Sequence, residues 1–359
     1  MNKLRIGILG TAGIARKNWP AIFNSGNSVI TAVASRDLER SRRFIEECQA
    51  KTPFEIPPVP LGSYEELLAS REVDAVYVPL PTGLRQEWVV RAAEAGKHVV
   101  CEKPCAVNAA ELEEMLSACR KNRVQFMDGV MFMHSPRLAR VRELLDDNAS
   151  VGAVRRISSA FSFLGNGNFT RDNIRVDGRL EPTGCLGDLG WYCLRFSLWV
   201  MNWQLPHTVT ARILSRSTAG PGRRSAPTEL SGELFFEDGV SAGFYCSFLA
   251  PLQQWVAVSG QKGWLRLPDF VHPFDSYEPA LEVNRTEVRI TDGGSKCPAG
   301  ADPIIQGHPT AQDTRMFRNF ADQVFSGKLN DDWPVWALKT QQVTDACFQS
   351  AQTGLASRV

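Results

Sequence analysis

Lys103, Asp188 and Tyr192 are three side chains able to hold or move a proton, and they fall in two short stretches of this 359-residue chain. The first is Lys97-His98-Val99-Val100-Cys101-Glu102-Lys103-Pro104. Residues 98–101 form a short apolar run with a polar lead-in, the pattern of a strand covered on both faces. Pro104 cannot donate to a ladder, so the strand stops there. Lys103 then stands at the carboxyl end of a strand, where open α/β sheets bind ligands. A lysine there can donate a proton or a hydrogen bond, with a pKa set by burial and neighbours. Taken alone, Glu-Lys-Pro also reads as a surface lysine before a turn.

The second stretch is Gly187-Asp188-Leu189-Gly190-Trp191-Tyr192-Cys193-Leu194-Arg195, at the start of an apolar helix expected over 187–202. Asp188 and Tyr192 are four apart and Arg195 three further on, so one helical stripe carries all three. Such a stripe needs a polar space to face. A catalytic cleft supplies one, and a buried hydrogen-bonded trio, with Asp188 as a first-turn acid, accounts for the spacing equally well. Joined to Lys103, the chemistry is that of carbonyl reduction, which needs a hydride and a proton for the developing alkoxide. A tyrosine phenol has an ordinary pKa of roughly 10. A neighbouring Lys103 ammonium is expected to lower it and to stabilise the oxyanion. Asp188 is expected to bind substrate hydroxyls or to orient the acid.

The elements that must position these groups begin at the first strand, residues 4–9. Gly10-Thr11-Ala12-Gly13-Ile14-Ala15 follows and opens a helix to about residue 24. Strand, glycine turn and helix are the setting of a dinucleotide pyrophosphate site. Against G-x-G-x-x-G, Gly10 fits the first position, Ala12 replaces the second glycine and Ala15 fits the third. The second strand, 29–34, ends in Ser35-Arg36. A hydroxyl and a guanidinium suit a 2′-phosphate, which favours NADP(H) over NAD(H). Asp37 is read as the N-cap of the helix 38–50. Arg40, Arg42 and Arg43 give that helix a solvated basic face, from which one could reach the phosphate. A strand over 73–80 ends in Pro79-Leu80-Pro81-Thr82, candidate cofactor contacts together with Glu102 and Lys103. About six strands alternate with helices up to residue 128, a complete Rossmann unit over residues 1–128.

Beyond it the pattern changes. Strand-like runs at 154–163, 207–215, 229–236, 241–248, 255–260, 263–267, 281–283 and 287–291 follow with few helices between them. They predict a mainly antiparallel, open-faced sheet in an α+β domain over residues 129–359. Two helices, 310–325 and 334–353, close the chain, and 217–227 and 293–303 read as loops. A sheet with too few helices to cover it leaves one face, expected to be apolar, for another subunit; a homodimer through that face, or a tetramer, is expected. Arg175, on the polar loop 165–184, is either a substrate contact or a surface arginine. Trp191, Trp255 and Trp264 are candidates for stacking on a ring substrate, and Arg195 for binding it.

Composition excludes several classes. A formal net charge of +1 gives no reason to expect nucleic acid or an anionic membrane as partner. No apolar run is long enough to span a bilayer. Nine scattered cysteines read as reduced thiols. With a first strand that begins at residue 4, this leads to the expectation of a cytoplasmic protein without a signal peptide. His98, Cys101 and Cys105 do not make a metal site. His98 and Cys101, three apart on a strand, face opposite ways, and Lys103 would repel a cation.

The sequence resembles the Gfo/Idh/MocA oxidoreductases along nearly its whole length. The resemblance lies in the Gly10 to Ala15 turn, Glu102-Lys103-Pro104 and the Gly-Asp-x-Gly-x-Tyr run at Gly187 to Tyr192. It is strongest to the dimeric dihydrodiol dehydrogenase branch, through Tyr77-Val78-Pro79-Leu80-Pro81-Thr82, Gln125-Phe126-Met127-Asp128-Gly129 and Gly187 to Arg195. It implies a Rossmann domain joined to an open-faced sheet domain. It puts the family's lysine on Lys103, and its helix acid and catalytic residue on Asp188 and Tyr192. Tyr192 stands where many members carry His, and Arg85 where many carry a His after the fourth strand. The activity implied is hydride transfer to or from a sugar, polyol or cyclic diol. Two alternatives within the family are a glycoside hydrolase that retains NAD and a non-catalytic dinucleotide sensor; Lys103, Asp188 and Tyr192 together argue against the sensor.

Overall fold

A computed structural model describes residues 2–218, 222–273, 282–285 and 308–359. The strand expected at 287–291, the loop at 293–303, and residues 219–221 and 281 of two other expected segments lie outside the described residues.

The first unit is a six-stranded sheet. Its strands are β1 (Leu4–Leu9), β2 (Ser28–Ala34), β3 (Val59–Leu61), β4 (Ala75–Val78), β5 (His98–Cys101) and β6 (Phe126–Asp128). The order is β3-β2-β1-β4-β5-β6, and every pairing is parallel. β4 is buried at all four positions and β5 at three, so their apolar runs do not alternate. Five helices cross between them: α1 (Gly13–Ser25), α2 (Leu38–Gln49), α3 (Tyr64–Ala69), α4 (Arg85–Glu94) and α5 (Ala109–Lys121). Asp37, Ser63 and Asn108 cap α2, α3 and α5 through their side chains. The strand order reverses between β1 and β4, which opens a crevice at their carboxyl ends.

The chain then forms α6 (Arg137–Asp146), β7 (Val154–Ser162) and α7 (Gly167–Asp172). The single helix expected over 187–202 is two pieces, a π-helical turn Leu186–Gly190 and α8 (Trp191–Val200). The turn is packed too closely for a regular side chain at its second position. A Cβ on Gly187 would lie 2.2 Å from Thr183 Oγ1 and 3.1 Å from Pro104 Cγ. After α8 come β8 (Thr208–Arg216), β9 (Pro227–Phe235), β10 (Ser241–Ser247), β11 (Gln253–Gly260), β12 (Gly263–Leu267), β13 (Glu282–Arg285), α9 (Gln312–Phe325), α10 (Asp332–Thr353) and β14 (Ser357–Arg358).

The second sheet runs β13-β12-β11-β7-β10-β9-β8-β14. Among the described residues, β7 and β10 pair in parallel and the other pairings of this sheet are antiparallel. One face is the core: Val209, Leu230, Leu234, Phe244, Cys246, Val256 and Val258 are buried on it. The opposite face is concave, and its character corrects the expectation of an apolar surface. It carries Ser158, Thr210, Arg212, Ser231, Glu233 and Tyr245, with an Arg156–Glu233 ion pair across it. Period-two alternation puts the polar residues of these strands on the side that helices leave uncovered. Trp255 lines this face, Trp264 shares it through its pairing with Ser259, and neither lines the crevice at the first sheet, so the structure does not support stacking on a cleft-bound ring.

The two long closing helices return to the first unit. Asn27 Nδ2 donates to Asp322 Oδ1 of α9 at 2.7 Å, and Arg318 Nε to the Ser25 carbonyl at 2.8 Å. The Ala109 N–H donates to Asp345 of α10 at 2.6 Å, while Ser350 of the same helix accepts from the Ala211 N–H in β8. These contacts tie both closing helices to the first unit, and α10 also to the second sheet.

Candidate active site

A cleft of about 490 Å³ lies between the units. Its Rossmann wall holds Ala12, Gly13 and Ile14 of the glycine turn, Pro79 and Leu80 from the end of β4, and Glu102 and Lys103 from the end of β5. Its other wall holds Arg175, Asp188 and Tyr192.

Lys103 is nearly buried, with 8% of its side chain exposed. Its Nζ donates to Asp188 Oδ1 at 2.7 Å and to the Asp188 carbonyl at 2.5 Å. An ammonium has three donors, so one is left for a ligand oxygen. Arg175 Nε holds the other carboxylate oxygen of Asp188 at 2.8 Å. Burial alone would raise the Asp188 carboxyl, but Arg175 and Lys103 outweigh it and hold it far below the usual carboxylate range. Asp188 is therefore an ionised anchor and not a proton donor.

Tyr192 lies beside this pair, its ring centroid 4.7 Å from Lys103 Nζ. Among the described residues, its hydroxyl reaches Met131 Sδ alone, at 3.6 Å. A thioether is a weak acceptor, so the phenol can turn to a stronger one. The expected lowering of this phenol by Lys103 is not what the structure gives. Burial pushes the Tyr192 phenol well above its usual value, and the Glu102 and Asp188 carboxylates add to the rise against an opposing Arg175. The Lys103 ammonium points its charge at Asp188 and covers the ring face, so it does little for the hydroxyl.

Glu102 is held from behind. The Tyr77 hydroxyl donates to Glu102 Oε1 at 2.5 Å, and Asn18 Nδ2 donates to that hydroxyl at 2.7 Å. Arg85, buried, is a backbone clamp: it donates to the carbonyls of Leu80 at 2.7 Å and Glu102 at 2.9 Å, and to that of Pro104. It ties the ends of β4 and β5 together, which fixes where Lys103 emerges. Thr82 does not face the cleft; its N–H and hydroxyl bind the Glu181 carboxylate at 3.1 and 2.5 Å. Pro81, just before it, is likewise absent from the cleft lining.

The turn fits a dinucleotide. Gly10 has φ +100°, and a Cβ there would press on Leu80 Cδ2 at 3.0 Å. At Gly13 a Cβ would meet nothing within 4 Å, which leaves open space above the start of α1. At the end of β2 the Ser35 hydroxyl is engaged by its own turn, donating to the Asp37 carbonyl at 2.9 Å. Arg36 is exposed, and Arg40 Nε donates to Thr11 Oγ1 at 2.8 Å. Two guanidiniums thus flank the edge of the turn where an adenosine ribose would lie. Thr11 and Ala15 are buried beneath it.

Two expected substrate residues are elsewhere. Trp191 and Arg195 are fully buried and do not line the cleft. Arg195 is locked to Asp128 at the end of β6 and to Thr340 Oγ1 of α10 at 2.6 Å. The stripe diverges after Tyr192, and Arg195 points into the seam between the units. Conversely, Lys17, His272, Glu181 and Asp313 line the cleft without a motif to announce them. Lys17 sits one turn into α1, and only the phase of that helix reveals its direction. Burial and the charges of Lys17 and Lys103 hold the His272 imidazole well below its usual pKa, so it is neutral.

A Rossmann sheet with a glycine turn, and a lysine–carboxylate–tyrosine cluster assembled across the cleft between it and a second sheet, defines a nicotinamide-dependent oxidoreductase. The comparisons name the family. Residues 4–130 match the model described as "Oxidoreductase family, NAD-binding Rossmann fold", and residues 138–266 match the GFO/IDH/MocA C-terminal domain. The chain belongs to the GFO/IDH/MocA oxidoreductases and is an NAD(P)-dependent enzyme of that family. It is 31% identical to D-xylose 1-dehydrogenase (NADP(+)) 2 of Haloferax volcanii, over 98% of this chain and 99% of that one. It is 32% identical to a trans-1,2-dihydrobenzene-1,2-diol dehydrogenase of Bos taurus, over 74% of each. Among solved structures, a 3-ketoreductase from Actinomadura kijaniata in complex with NADP and TDP-benzene superposes with a TM-score of 0.79 at 26% identity, covering 97% of this chain and 98% of that one. Among the described residues, no helix is long and apolar enough to cross a membrane.

Proposed function

We propose that this enzyme transfers hydride between NADP(H) and a carbon of a sugar, polyol or cyclic diol, with Lys103 and Tyr192 handling the proton. The observation that carries this reading is the Lys103 ammonium, held by Asp188 beside the Tyr192 ring, in the same cleft as the glycine turn. NADP(H), when bound, supplies or accepts the hydride. As a carbonyl is reduced, charge develops on its oxygen, and the remaining Lys103 donor is a fixed positive group for it. The undissociated Tyr192 phenol is the proton source, or relays one from Lys103. In oxidation the same two groups receive the proton. Asp188 stays ionised and keeps Lys103 and Arg175 in place, and Arg175 is free to bind a substrate hydroxyl. Gly10 to Ala15, Pro79, Leu80 and Glu102 would hold the dinucleotide.

Arg36 and Arg40 support NADP(H) over NAD(H), as do the names of relatives that carry NADP. Fluorescence titration checks this. Arg36→Asp and Arg40→Asp each weaken NADPH by roughly tenfold or more and leave NADH within a small factor, because a charge-assisted contact to the 2′-phosphate is removed. Equal loss for both nucleotides rejects the assignment. Tightly retained, non-exchanging NAD in the purified protein points instead to the glycoside-cleaving alternative.

We further read residues 1–128 as the cofactor domain and 129–359 as the substrate domain. The free concave face of the second sheet is the subunit contact of a homodimer or tetramer. Support comes from Tyr245 and Trp255, part-exposed among hydroxyls on a face that no described helix covers. Sedimentation velocity at micromolar concentration is expected to show a dimer or larger; a monomer overturns it. Among the described residues, eight cysteines are buried and free, which fits a reducing compartment, the cytoplasm.

A further inference from the structure

We infer that the substrate is amphipathic: a hydroxylated or carbonyl-bearing ring whose far end carries an apolar or aromatic substituent, seated on a collar of Phe163, Ile174 and Leu252. The inference rests on the oxidoreductase reading above and narrows its substrate class.

The cleft is graded by depth. Lys103, Asp188 and His272 form a charged or polar floor beside the Phe161 ring, and Arg175, its side chain 39% exposed, stands higher on the wall. Phe163, Ile174 and Leu252 line it as well, and they are apolar. Ile174 is 42% exposed and Leu252 57%, although both border the cleft. A single exposed leucine is ordinary. Apolar side chains from three separate segments that converge on a ligand cleft are a binding surface. Leu164 and Leu249, the residues after Phe163 and Phe248, are exposed as well.

The collar is rigid enough to select. Phe163 packs against Phe169 at 5.1 Å and Phe248 at 5.3 Å between ring centroids. The Phe163 N–H donates to the Ser247 carbonyl at 3.0 Å and the Gly165 N–H to the Phe248 carbonyl at 2.9 Å. The Ser162 hydroxyl holds the Pro251 carbonyl at 2.6 Å, next to Leu252. One short 3₁₀ turn, Ile174–Val176, supplies both an apolar collar residue and, in Arg175, the arginine that binds Asp188. A ligand whose hydroxyls reach the floor therefore has its other end against the collar. A free sugar is polar all round and leaves that surface wet, whereas an aryl or alkyl group removes it from water.

Calorimetric titration tests this with two pairs, D-xylose against phenyl β-D-xyloside and D-glucose against phenyl β-D-glucoside, each with and without NADP(+). In at least one pair the phenyl glycoside is expected to bind roughly tenfold tighter than its parent. Leu252→Ser and Ile174→Ser are each expected to cut that ratio by about threefold or more, with far-UV circular dichroism unchanged. Equal affinity in both pairs, including no binding by any of the four, overturns the inference; so does a preference that survives in the double variant. Absence of NADPH binding and of hydride transfer would overturn the oxidoreductase reading instead, and leaves the measured ratios standing on their own.

Discussion

Lys103→Met is expected to lower kcat by roughly 10²- to 10⁴-fold, the range for losing a positioned proton donor or oxyanion partner, with a much smaller loss of NADPH affinity. Methionine keeps the length and the apolar contact with the Tyr192 ring but offers no donor. Asp188 remains paired to Arg175, so the carboxylate is not abandoned in the interior. Tyr192→Phe separates the two roles. A similar loss makes the phenol the acid with Lys103 behind it; a much smaller loss leaves Lys103 as the donor itself. The pH profile is a second check. The Tyr192 phenol is raised, so it stays protonated through neutral and mildly alkaline solution. Asp188 is depressed, so its ion pairs contribute fully above the ordinary carboxylate pKa of about 4 and are lost only as pH falls through the lower folded value. Neither group therefore gives a limb in kcat/KM between about pH 5 and 9. An alkaline limb in that window implicates Lys17, whose ammonium burial disfavours, and should vanish in Lys17→Met. Wild-type turnover by Lys103→Met would move the proton chemistry elsewhere.

How much of this could be read from residues alone follows the range of the physics. The Rossmann unit is written locally: apolar strands, caps at Asp37, Ser63 and Asn108, and a glycine turn each need only a few neighbours in sequence. Lys103 was legible for the same reason, since Pro104 ends the strand that presents it. Asp188 and Tyr192 were placed by helical spacing, and both do line one cleft. Arg195 shows where spacing stops. A cation in an apolar helix marks either a cleft or a buried partner, and its partner, Asp128, lies 67 residues away in another unit. The phenol's pKa failed similarly, because burial and the Glu102 and Asp188 carboxylates, which set its direction, come from tertiary packing. Arg175, Glu181 and His272 lie in irregular segments whose conformation no periodicity encodes. The polar free face was misjudged as apolar, although Thr210 and Arg212 flank the buried Ala211 and Ser231 follows the buried Leu230 in period-two order.

The fate of Arg195 also sets the largest expected effect on stability. Its side chain is fully buried and that of Asp128 is 5% exposed. The guanidinium is also held by Thr340 Oγ1, with the Trp191 and Trp203 rings 5.9 and 5.8 Å away. Trp203 in turn stacks on Trp336 of α10 at 4.9 Å between centroids. Arg195→Met removes the cation and strands a carboxylate in the interior. Breaking a buried pair on one side typically costs about 3–5 kcal/mol, and a melting temperature lower by on the order of 10 °C is expected by thermal denaturation. Asp128→Asn alone strands the guanidinium and should cost a similar amount. The double variant, Arg195→Met with Asp128→Asn, leaves no unpaired charge and should recover a large part of the loss, since most of the single-variant penalty is desolvated charge and not lost attraction. Additive losses would instead make the pair itself strongly stabilising. In either case the damage is expected in kcat as well. Asp128 ends β6, which lies beside the strand that presents Lys103, while Arg195 lies three residues past Tyr192. With the Lys103–Asp188 pair, it is one of two direct ties between the sheet that carries one proton group and the helix that carries the other.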